Sequence, residues 1–190
     1  MGQKSSKLSA SQLAGLASTT YFNKRELQRW HKDFLKSYPS GGLDEDSFKQ
    51  IYKQYFPFGD PTLFAEYIFK VYDTNRNGII DFEEYIYALS ITSRGKTDER
   101  LDWAFQLYDI NKDGVVTYEE MLGIVHAIYK MVGKLVRLPD DVNTPEKRVD
   151  KIFATMDLDH DGVLTMEEFK NGSKMDPSIM HALSLYEGVV

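Results

Sequence analysis

The chain contains no cysteine, and none of its apolar runs approaches the length of a membrane span. Without thiols the protein has no disulfides, no zinc–thiolate site, no thiol catalysis and no palmitoylation. A membrane-crossing helix needs about 20 largely apolar residues, which this sequence does not offer. The N-terminus also lacks the apolar core of a signal peptide, so we expect a cytosolic protein.

The charges that are present are unevenly distributed. The 190 residues are 42% hydrophobic, enough for one sizeable domain or two small ones, and the formal net charge is −6. Residues 1–36 carry seven basic and two acidic side chains, whereas the remainder carries 16 basic and 27 acidic ones. This asymmetry predicts an anionic partner surface at the N-terminal end and cation binding elsewhere. A solvated helix face explains the basic part equally well.

A twelve-residue pattern recurs three times, at 73–84, 109–120 and 157–168. Each copy begins with Asp, has Gly at its sixth position, ends with Glu and lies between amphipathic runs that contain aromatic residues. A fourth, weaker copy at 36–47 keeps the turn glycine and the apolar residue two places later. This period predicts a repeat architecture, and helix–loop–helix units with this loop pattern are EF-hands.

We predict an all-α fold of four EF-hands in two paired lobes. The apolar eighth position of each loop suits a short strand that pairs antiparallel with the neighbouring loop. Polar residues around Gly95 predict the joint, which gives an N-lobe at 1–94 and a C-lobe at 95–190. A last amphipathic run predicts a C-terminal helix at about 177–187.

The three complete loops, hereafter the second, third and fourth, carry the ligand pattern of calcium sites. A hard divalent cation takes six to eight oxygens, which the loop supplies from positions 1, 3, 5, 7, 9 and 12. A bidentate Glu at position 12 favours Ca²⁺ over the smaller Mg²⁺, which remains a competitor. We predict three Ca²⁺ ions, because a chance acidic turn does not account for three complete matches. The predicted ligands are Asp73, Asn75, Asn77, the Ile79 carbonyl, Asp81 and Glu84; Asp109, Asn111, Asp113, the Val115 carbonyl, Thr117 and Glu120; and Asp157, Asp159, Asp161, the Val163 carbonyl, Thr165 and Glu168.

Position 6 of each complete loop is expected to turn sharply, often with a positive φ. Glycine adopts that conformation without a steric penalty, and Gly78, Gly114 and Gly162 occupy the position.

The first loop, at 36–47, lacks the ligand chemistry. Lys36 places a cation where the first carboxylate belongs, and Ser47 cannot offer a bidentate pair. Tyr38 and Pro39 disturb the entry to the loop. We therefore predict no metal there. We expect the unit to persist for packing, because a paired EF-hand needs a partner for its strand and apolar face.

The N-terminal residues fit the pattern for N-myristoylation. Gly2 becomes terminal when the initiator methionine is removed, and Ser6 follows at the required spacing. Such matches also occur by chance in ordinary tails. A single myristoyl chain binds membranes only marginally, so the nearby Lys4 and Lys7 would add a useful second, electrostatic signal.

No set of residues predicts an enzyme or a nucleic-acid-binding protein. The four histidines show no metal-ligand spacing, and no catalytic triad or carboxylate pair can be assigned. The segment 95–97 imitates the end of a phosphate loop, but the glycine required five residues before it is Ser90. Asn171-Gly-Ser173 matches a glycosylation sequon, which requires a secretory context.

Five further stretches of the chain carry a recognisable pattern: Tyr52–Asp60, Leu89–Gly95, Thr144–Val149, Asp176–Ile179 and Ala182–Gly188. With them the chain resembles the neuronal calcium sensor family, and more specifically its recoverin branch. The resemblance covers the chain from end to end. It departs at Tyr38, where the family usually has Cys, so thiol-dependent behaviour of relatives does not carry over.

The resemblance implies two compact lobes, an N-terminal myristate and an apolar groove that calcium helps to expose for a target helix. For frequenin-like members it implies a phosphatidylinositol 4-kinase of the Golgi and vesicle pathway as a target and, in neurons, certain receptors and channels. Without the resemblance the same positions are simply core at helical spacing. The matching groove positions are Trp30, Phe34, Phe48, Ile51, Tyr52, Tyr55, Tyr85 and Leu89.

The amphipathic run 179–186 leaves two roles open. It either caps the C-lobe permanently or occupies the groove until a target helix displaces it. Sequence alone does not separate these alternatives.

We therefore expect a myristoylated calcium sensor, not an enzyme, that is peripheral on Golgi or plasma membranes and regulates a membrane-associated target. Two alternatives belong to other classes. One is a cytosolic calcium buffer that changes shape little, which the acyl signal and the groove disfavour. The other is a permanent EF-hand subunit of an enzyme, similar to calcineurin B, which the degenerate first loop disfavours.

Overall fold

The computed structural model describes residues 7–133 and 139–175 of the chain. Those residues are mostly helical, with four three-residue strands between the helices. The helices are α1 (Ala10–Thr19), α2 (Lys24–Ser37), α3 (Glu45–Tyr55), α4 (Thr62–Tyr72), α5 (Phe82–Arg94), α6 (Thr97–Tyr108), α7 (Tyr118–Val132), α8 (Pro145–Met156) and α9 (Met166–Met175). The strands are β1 (Gly42–Asp44), β2 (Ile79–Asp81), β3 (Val115–Thr117) and β4 (Val163–Thr165).

The loops themselves start the helices that follow them. In the first loop Asp44 accepts the backbone N–H of Ser47, and this bond caps α3. In the second loop Asp81 caps α5 in the same way, and Thr117 caps α7 in the third. A side-chain oxygen at this position satisfies one of the donors that a helix leaves unpaired at its first turn. The repeat in the sequence is therefore also a repeat of helix starts.

The four strands form two small antiparallel sheets, each of which joins the two loops of one lobe. Leu43 of β1 lies opposite Ile80 of β2, and Val116 of β3 lies opposite Leu164 of β4. All four side chains are buried. The predicted fold class is thereby confirmed, including the pairing of the first loop with the second.

The larger apolar cluster runs through both lobes. It begins with Leu43 and Phe48 in the first unit and reaches Phe169 on α9. Helix α4 packs against α6 and α7, and the ring of Tyr72 meets Trp103 edge-on with centroids 6.0 Å apart. The predicted boundary at 94–95 falls in the short connection between α5 and α6. The boundary stays a prediction, because the apolar core is continuous between the two lobes and marks no division there.

A smaller cluster holds the basic helix α2 on the N-lobe. Leu27 and Phe34 of α2 pack with Phe82, Ile86 and Leu89 of α5, and α1 closes the cluster from one end. Phe34 lies against the ring of Phe82 at 5.6 Å. Helix α5 therefore joins the two clusters, because its Ala88 belongs to the larger one.

A second contact joins the lobes at the connection between α3 and α4. The backbone N–H of Asp60 donates to the carbonyl of Lys130 near the end of α7, at 2.9 Å. A side chain at Gly59 would overlap the carbonyl of Met131, so only glycine allows this close approach. The N-lobe thus satisfies a carbonyl that the C-terminus of α7 would otherwise leave unpaired.

Within the described ranges, no helix is both long and apolar enough to cross a membrane. The predicted acylation site at Gly2 and the predicted helix at 177–187 lie outside the described residues.

Candidate metal-binding loops

The three complete loops share one unusual backbone path. Their sixth residues, Gly78, Gly114 and Gly162, have φ values of 80°, 92° and 86°. The sharp glycine turn expected from the sequence is present in each loop. The fourth residues also have positive φ, at 57°, 61° and 59°, although none is a glycine; they are Arg76, Lys112 and His160. Such conformations cost free energy for these residue types, so the rest of the loop must hold them in place.

The first carboxylate anchors each loop from inside. In the second loop Asp73 accepts the backbone N–H groups of Asn77 at 3.0 Å and Gly78 at 2.8 Å. Asp109 and Asp157 accept the equivalent two N–H groups at 3.1–3.2 Å. All three aspartates are buried at the end of the incoming helix. Each loop therefore curls around a fixed negative charge.

The last carboxylate closes the loop from the opposite end. Glu84, Glu120 and Glu168 each accept the N–H of the ninth loop residue at 2.9–3.0 Å. Their second oxygens accept N–H groups from the loop entrance, as Glu84 does from Asn75 at 3.2 Å. Because each glutamate lies in the first turn of the outgoing helix, it connects that helix directly to the loop. Hydrogen bonding from Thr165 lowers the pKa of Glu168 and keeps that carboxyl ionised.

The donor sets fit a hard divalent cation. Ligand oxygens of Asp157, Asp159 and Asp161 all lie within 4.8 Å of one another in the fourth loop. In the second and third loops some of the equivalent positions carry amides, namely Asn75, Asn77 and Asn111. The set of oxygen ligands in each of these loops, hereafter the cage, therefore carries less negative charge than that of the fourth loop. Oxygen-only sets of this kind select Ca²⁺ or Mg²⁺ over softer metals. The structure brings these three carboxylates together in the fourth loop, and the ligand assignments of all three loops stay predictions.

The first loop follows a different path. Helix α2 continues through Ser37, so Lys36, the first loop position, belongs to its last turn. Pro39 occupies the fourth position, and its ring fixes φ near −65°, which forbids the positive value that the other loops adopt there. Gly41 retains the positive φ of the sixth position, at 84°. This loop keeps the turn and the strand but not the cage.

Comparisons with known proteins agree with this geometry. A family model for an EF-hand domain pair matches residues 98–174, and a second EF-hand domain pair model matches residues 39–92. Neuronal calcium sensor 1 of Aplysia californica is 51% identical over 185 residues, which cover 97% of each chain. The protein of the same name from Lymnaea stagnalis gives the same figures. The chain belongs to the neuronal calcium sensor family.

Human recoverin is a more distant member, 40% identical over 146 residues that cover 76% of this chain and 73% of recoverin. The family resemblance inferred from the sequence is confirmed. Membership makes this chain a calcium-binding EF-hand protein whose relatives are calcium sensors and not enzymes.

Seven of the eight predicted groove positions are packed in this structure, and Tyr55 is the exception. The seven divide between the two apolar clusters, and Tyr85 touches both. Burial raises the pKa of Tyr85 to about 12, so its hydroxyl stays neutral. The groove itself stays a prediction. Phe34, Phe48, Tyr52 and Leu89 are buried, Trp30, Ile51 and Tyr85 are half-buried, and Tyr55 is 55% exposed.

One group of residues near the lobe joint was not foreseen. Arg94, at the end of α5, makes two hydrogen bonds to the carboxylate of Glu26, at 2.7 and 3.2 Å, and a third to the carbonyl of Tyr21. The hydroxyl of Tyr21 donates to Glu99 on α6 at 2.6 Å. These partners are 68–78 residues apart, so no local pattern could reveal them. They tie the α1–α2 turn to both lobes.

Proposed function

We propose that this chain is a myristoylated calcium sensor that holds three Ca²⁺ ions and then presents an apolar groove to an amphipathic helix of a membrane-associated target. A phosphatidylinositol 4-kinase, a receptor or a channel is the expected class of target. One observation carries the proposal: the second, third and fourth loops repeat the same two hydrogen bonds, from the turn glycine N–H to the first aspartate and from the N–H of the ninth residue to the last glutamate.

The mechanism follows from where the last glutamate of each loop is attached. A bound Ca²⁺ ion supplies the positive charge that allows several carboxylates to converge. In the second loop Glu84 is buried in the first turn of α5, so a shift of its carboxylate towards Asp73 must move the helix. Helix α5 also carries Phe82, Ile86 and Leu89, which pack on α2. Rotation of α5 would therefore separate it from α2 and uncover apolar positions there.

The membrane-facing part of the proposal rests on the basic N-terminal surface. An open cavity between the N-terminal segment and α2 is lined by Lys7, Lys32, Lys36 and His31 above the apolar Leu8 and Leu35. Basic side chains near a membrane surface each contribute about 1 kcal/mol of attraction to anionic lipids. Together with an acyl chain on Gly2, this surface would give the two signals that stable anchoring needs.

Calcium titration of the acylated protein tests the ion count. Calorimetry should give three ions for the wild type and two for Glu120→Gln, because the amide removes the charged, bidentate ligand of the third loop. Binding of an apolar dye should rise with calcium, whereas a buffer would show little change. A count below three, or a wild-type titration identical to that of Glu120→Gln, would contradict the proposal.

Target capture and membrane binding need separate measurements. Vesicles that contain anionic lipid should retain the acylated protein better than they retain the Gly2→Ala variant, which cannot be acylated. A peptide from a phosphatidylinositol 4-kinase helix should bind in calcium and dissociate in chelator. Retention of a partner enzyme in chelator would instead favour the permanent-subunit alternative.

A further inference from the structure

The chain contains two Asn-Gly pairs, and their surroundings differ sharply. Asn77-Gly78 lies at positions 5 and 6 of the second loop, where both residues are exposed. Asn171-Gly172 lies within α9, where Gly172 is buried. Neither pair has a role as a pair in the proposed function. They form a matched contrast, because the same dipeptide is held once in an open loop and once in a packed helix.

Asparagine before glycine is the side chain most prone to spontaneous deamidation. The backbone nitrogen of glycine loses its proton to water and bonds to the amide carbon Cγ of asparagine, while the Cγ–N bond breaks and ammonia leaves. Water then opens the resulting succinimide at either carbonyl, which yields aspartate or isoaspartate. Water is the only co-reactant, and the chain needs only enough local freedom to close the five-membered ring.

The second loop favours this ring closure. The Oδ1 atom of Asn77 accepts the N–H of Ile79 at 2.8 Å, which polarises the amide carbon under attack. The N–H of Gly78 donates to Asp73 at 2.8 Å, which draws its proton away from the nitrogen. Asn77 and Gly78 are both exposed, and no atom lies within 4 Å of the place where a side chain of Gly78 would be. Ring closure therefore changes hydrogen bonds within the loop but displaces no packed core residue.

The pair in α9 opposes the same reaction. A side chain added at Gly172 would overlap Met156, so the backbone is pressed against the C-lobe core. The next residue, Ser173, is fully buried. Ring closure at Asn171 would have to unwind α9 and open this packing. Ring closure at Asn77, in a loop, requires neither change.

We propose that Asn77 is a spontaneous deamidation site, and that metal held in the second loop protects it. The protection rests on the proposed function, because a ligated Asn77 oxygen could not turn its amide carbon towards Gly78. The two products differ in effect. Aspartate would give position 5 the carboxylate that Asp113 and Asp161 provide in the other loops. Isoaspartate lengthens the backbone by one carbon and would move the ligand oxygen away from the metal position. The second loop would then no longer bind metal.

Peptide mapping by mass spectrometry tests the reactivity directly. The full chain is aged in chelator at mildly alkaline pH and cleaved at glutamate, which places the two asparagines in separate peptides. Asn77 should deamidate at least about tenfold faster than Asn171, because the packing of α9 prevents ring closure between Asn171 and Gly172. Labelling of the Asn77 peptide by an isoaspartyl methyltransferase should follow the same time course and be lost in the Asn77→Gln variant, whose longer side chain cyclises far more slowly. Equal rates at the two asparagines would overturn the proposal.

Ageing in saturating calcium tests the protection, with Asn171 as the internal control. Calcium should slow conversion of Asn77 severalfold and leave Asn171 unchanged. If the rate at Asn77 does not fall although calorimetry counts three ions, the protection is refuted. If calorimetry shows that the second loop binds no ion, the proposed function has failed there, while the rates in chelator still decide the reactivity of Asn77.

Discussion

The first and second loops are strand partners with opposite chemistry. Both have a glycine with positive φ at position 6 and a buried apolar residue at position 8, and these residues pair as Leu43 and Ile80. The second loop adds a buried aspartate at its start and a glutamate at its end, where the first loop has Lys36 and Ser47. The comparison separates two roles that one motif usually combines. Positions 6 and 8 build the lobe, whereas positions 1 and 12 build the cage.

Truncation of the strand residue should destabilise the N-lobe, although we predict no metal in the first loop. Leu43 is 2% exposed and belongs to the larger cluster, so Leu43→Ala should lower the free energy of unfolding by about 2–5 kcal/mol. Denaturant unfolding in chelator measures this. Leu158→Ala is the control, since Leu158 is 72% exposed in the fourth loop and its loss should change stability little. Equal effects of the two substitutions would refute the structural role of the first loop.

Substitution at loop position 12 should weaken calcium binding in the second loop but have no effect in the first loop, its strand partner. Glu84→Gln should weaken binding in the second loop by about a hundredfold, because ligand charge tunes the affinity of such loops over decades. Ser47→Ala in the first loop should leave every binding constant unchanged. Isothermal titration with calcium compares the two. A change of ion count in Ser47→Ala would mean that the first loop takes part after all.

Restoring ligands to the first loop should fail while Pro39 remains. The variant with Lys36→Asp, Tyr38→Asn, Ser40→Asp and Ser47→Glu would carry the full pattern, with Asp44 already present. Addition of Pro39→Lys should then strengthen calcium binding roughly thirtyfold, since forbidden backbone strain costs about 2 kcal/mol. Titration of both variants measures the difference. Equal affinities would show that the fourth position does not limit this loop.

Substitution at loop position 9 should give the smallest difference between the first and second loops. Asp44 only caps α3, so Asp44→Ala should cost about 1 kcal/mol, with or without calcium. The bond from Ser47 lowers the pKa of Asp44 in the folded protein. Its contribution is therefore complete above the pKa of the unfolded chain, about 4, and is lost as the pH falls through the lower folded value.

Asp44→Asn is the control for that acid dependence, because an amide caps the helix without titrating. Asp81→Ala, in the second loop, should add a calcium-dependent loss to the loss of the cap. Unfolding midpoints measured across acidic pH, in calcium and in chelator, separate these effects. An acid dependence that survives in Asp44→Asn would assign it to another carboxyl.

Local features of the fold could be predicted because the repeat carries them. Aligning the four loops located the glycine turns and the strand pairs, and it marked the first loop as one that lacks the ligand residues. The structure adds the reason why Pro39 disturbs the first loop: it stands in line with Arg76, Lys112 and His160, all of which have positive φ. A proline there excludes the loop path on backbone grounds, before ligand chemistry is considered.

The arrangement of the two lobes could not be predicted in this way. The shared core depends on how α4 packs on α6 and α7, and side chains such as Tyr72 and Trp103 look like ordinary amphipathic positions in the sequence. The burial of two predicted groove residues, Phe34 and Leu89, likewise depends on where α5 lies relative to α2. Helical periodicity shows which residues face inward but not which helix they face.

The contact at Gly59 limits the mechanical freedom of the whole molecule. While Asp60 remains bonded to the end of α7, the N-lobe can slide along the C-lobe by little more than the slack in one hydrogen bond. Rotation about that point is opposed by the shared core, in which α4 packs on α6 and α7. A rearrangement that keeps the bond must therefore turn the lobes about Gly59 and repack this core at the same time. A larger residue at 59 would force the two halves apart at their closest point of contact.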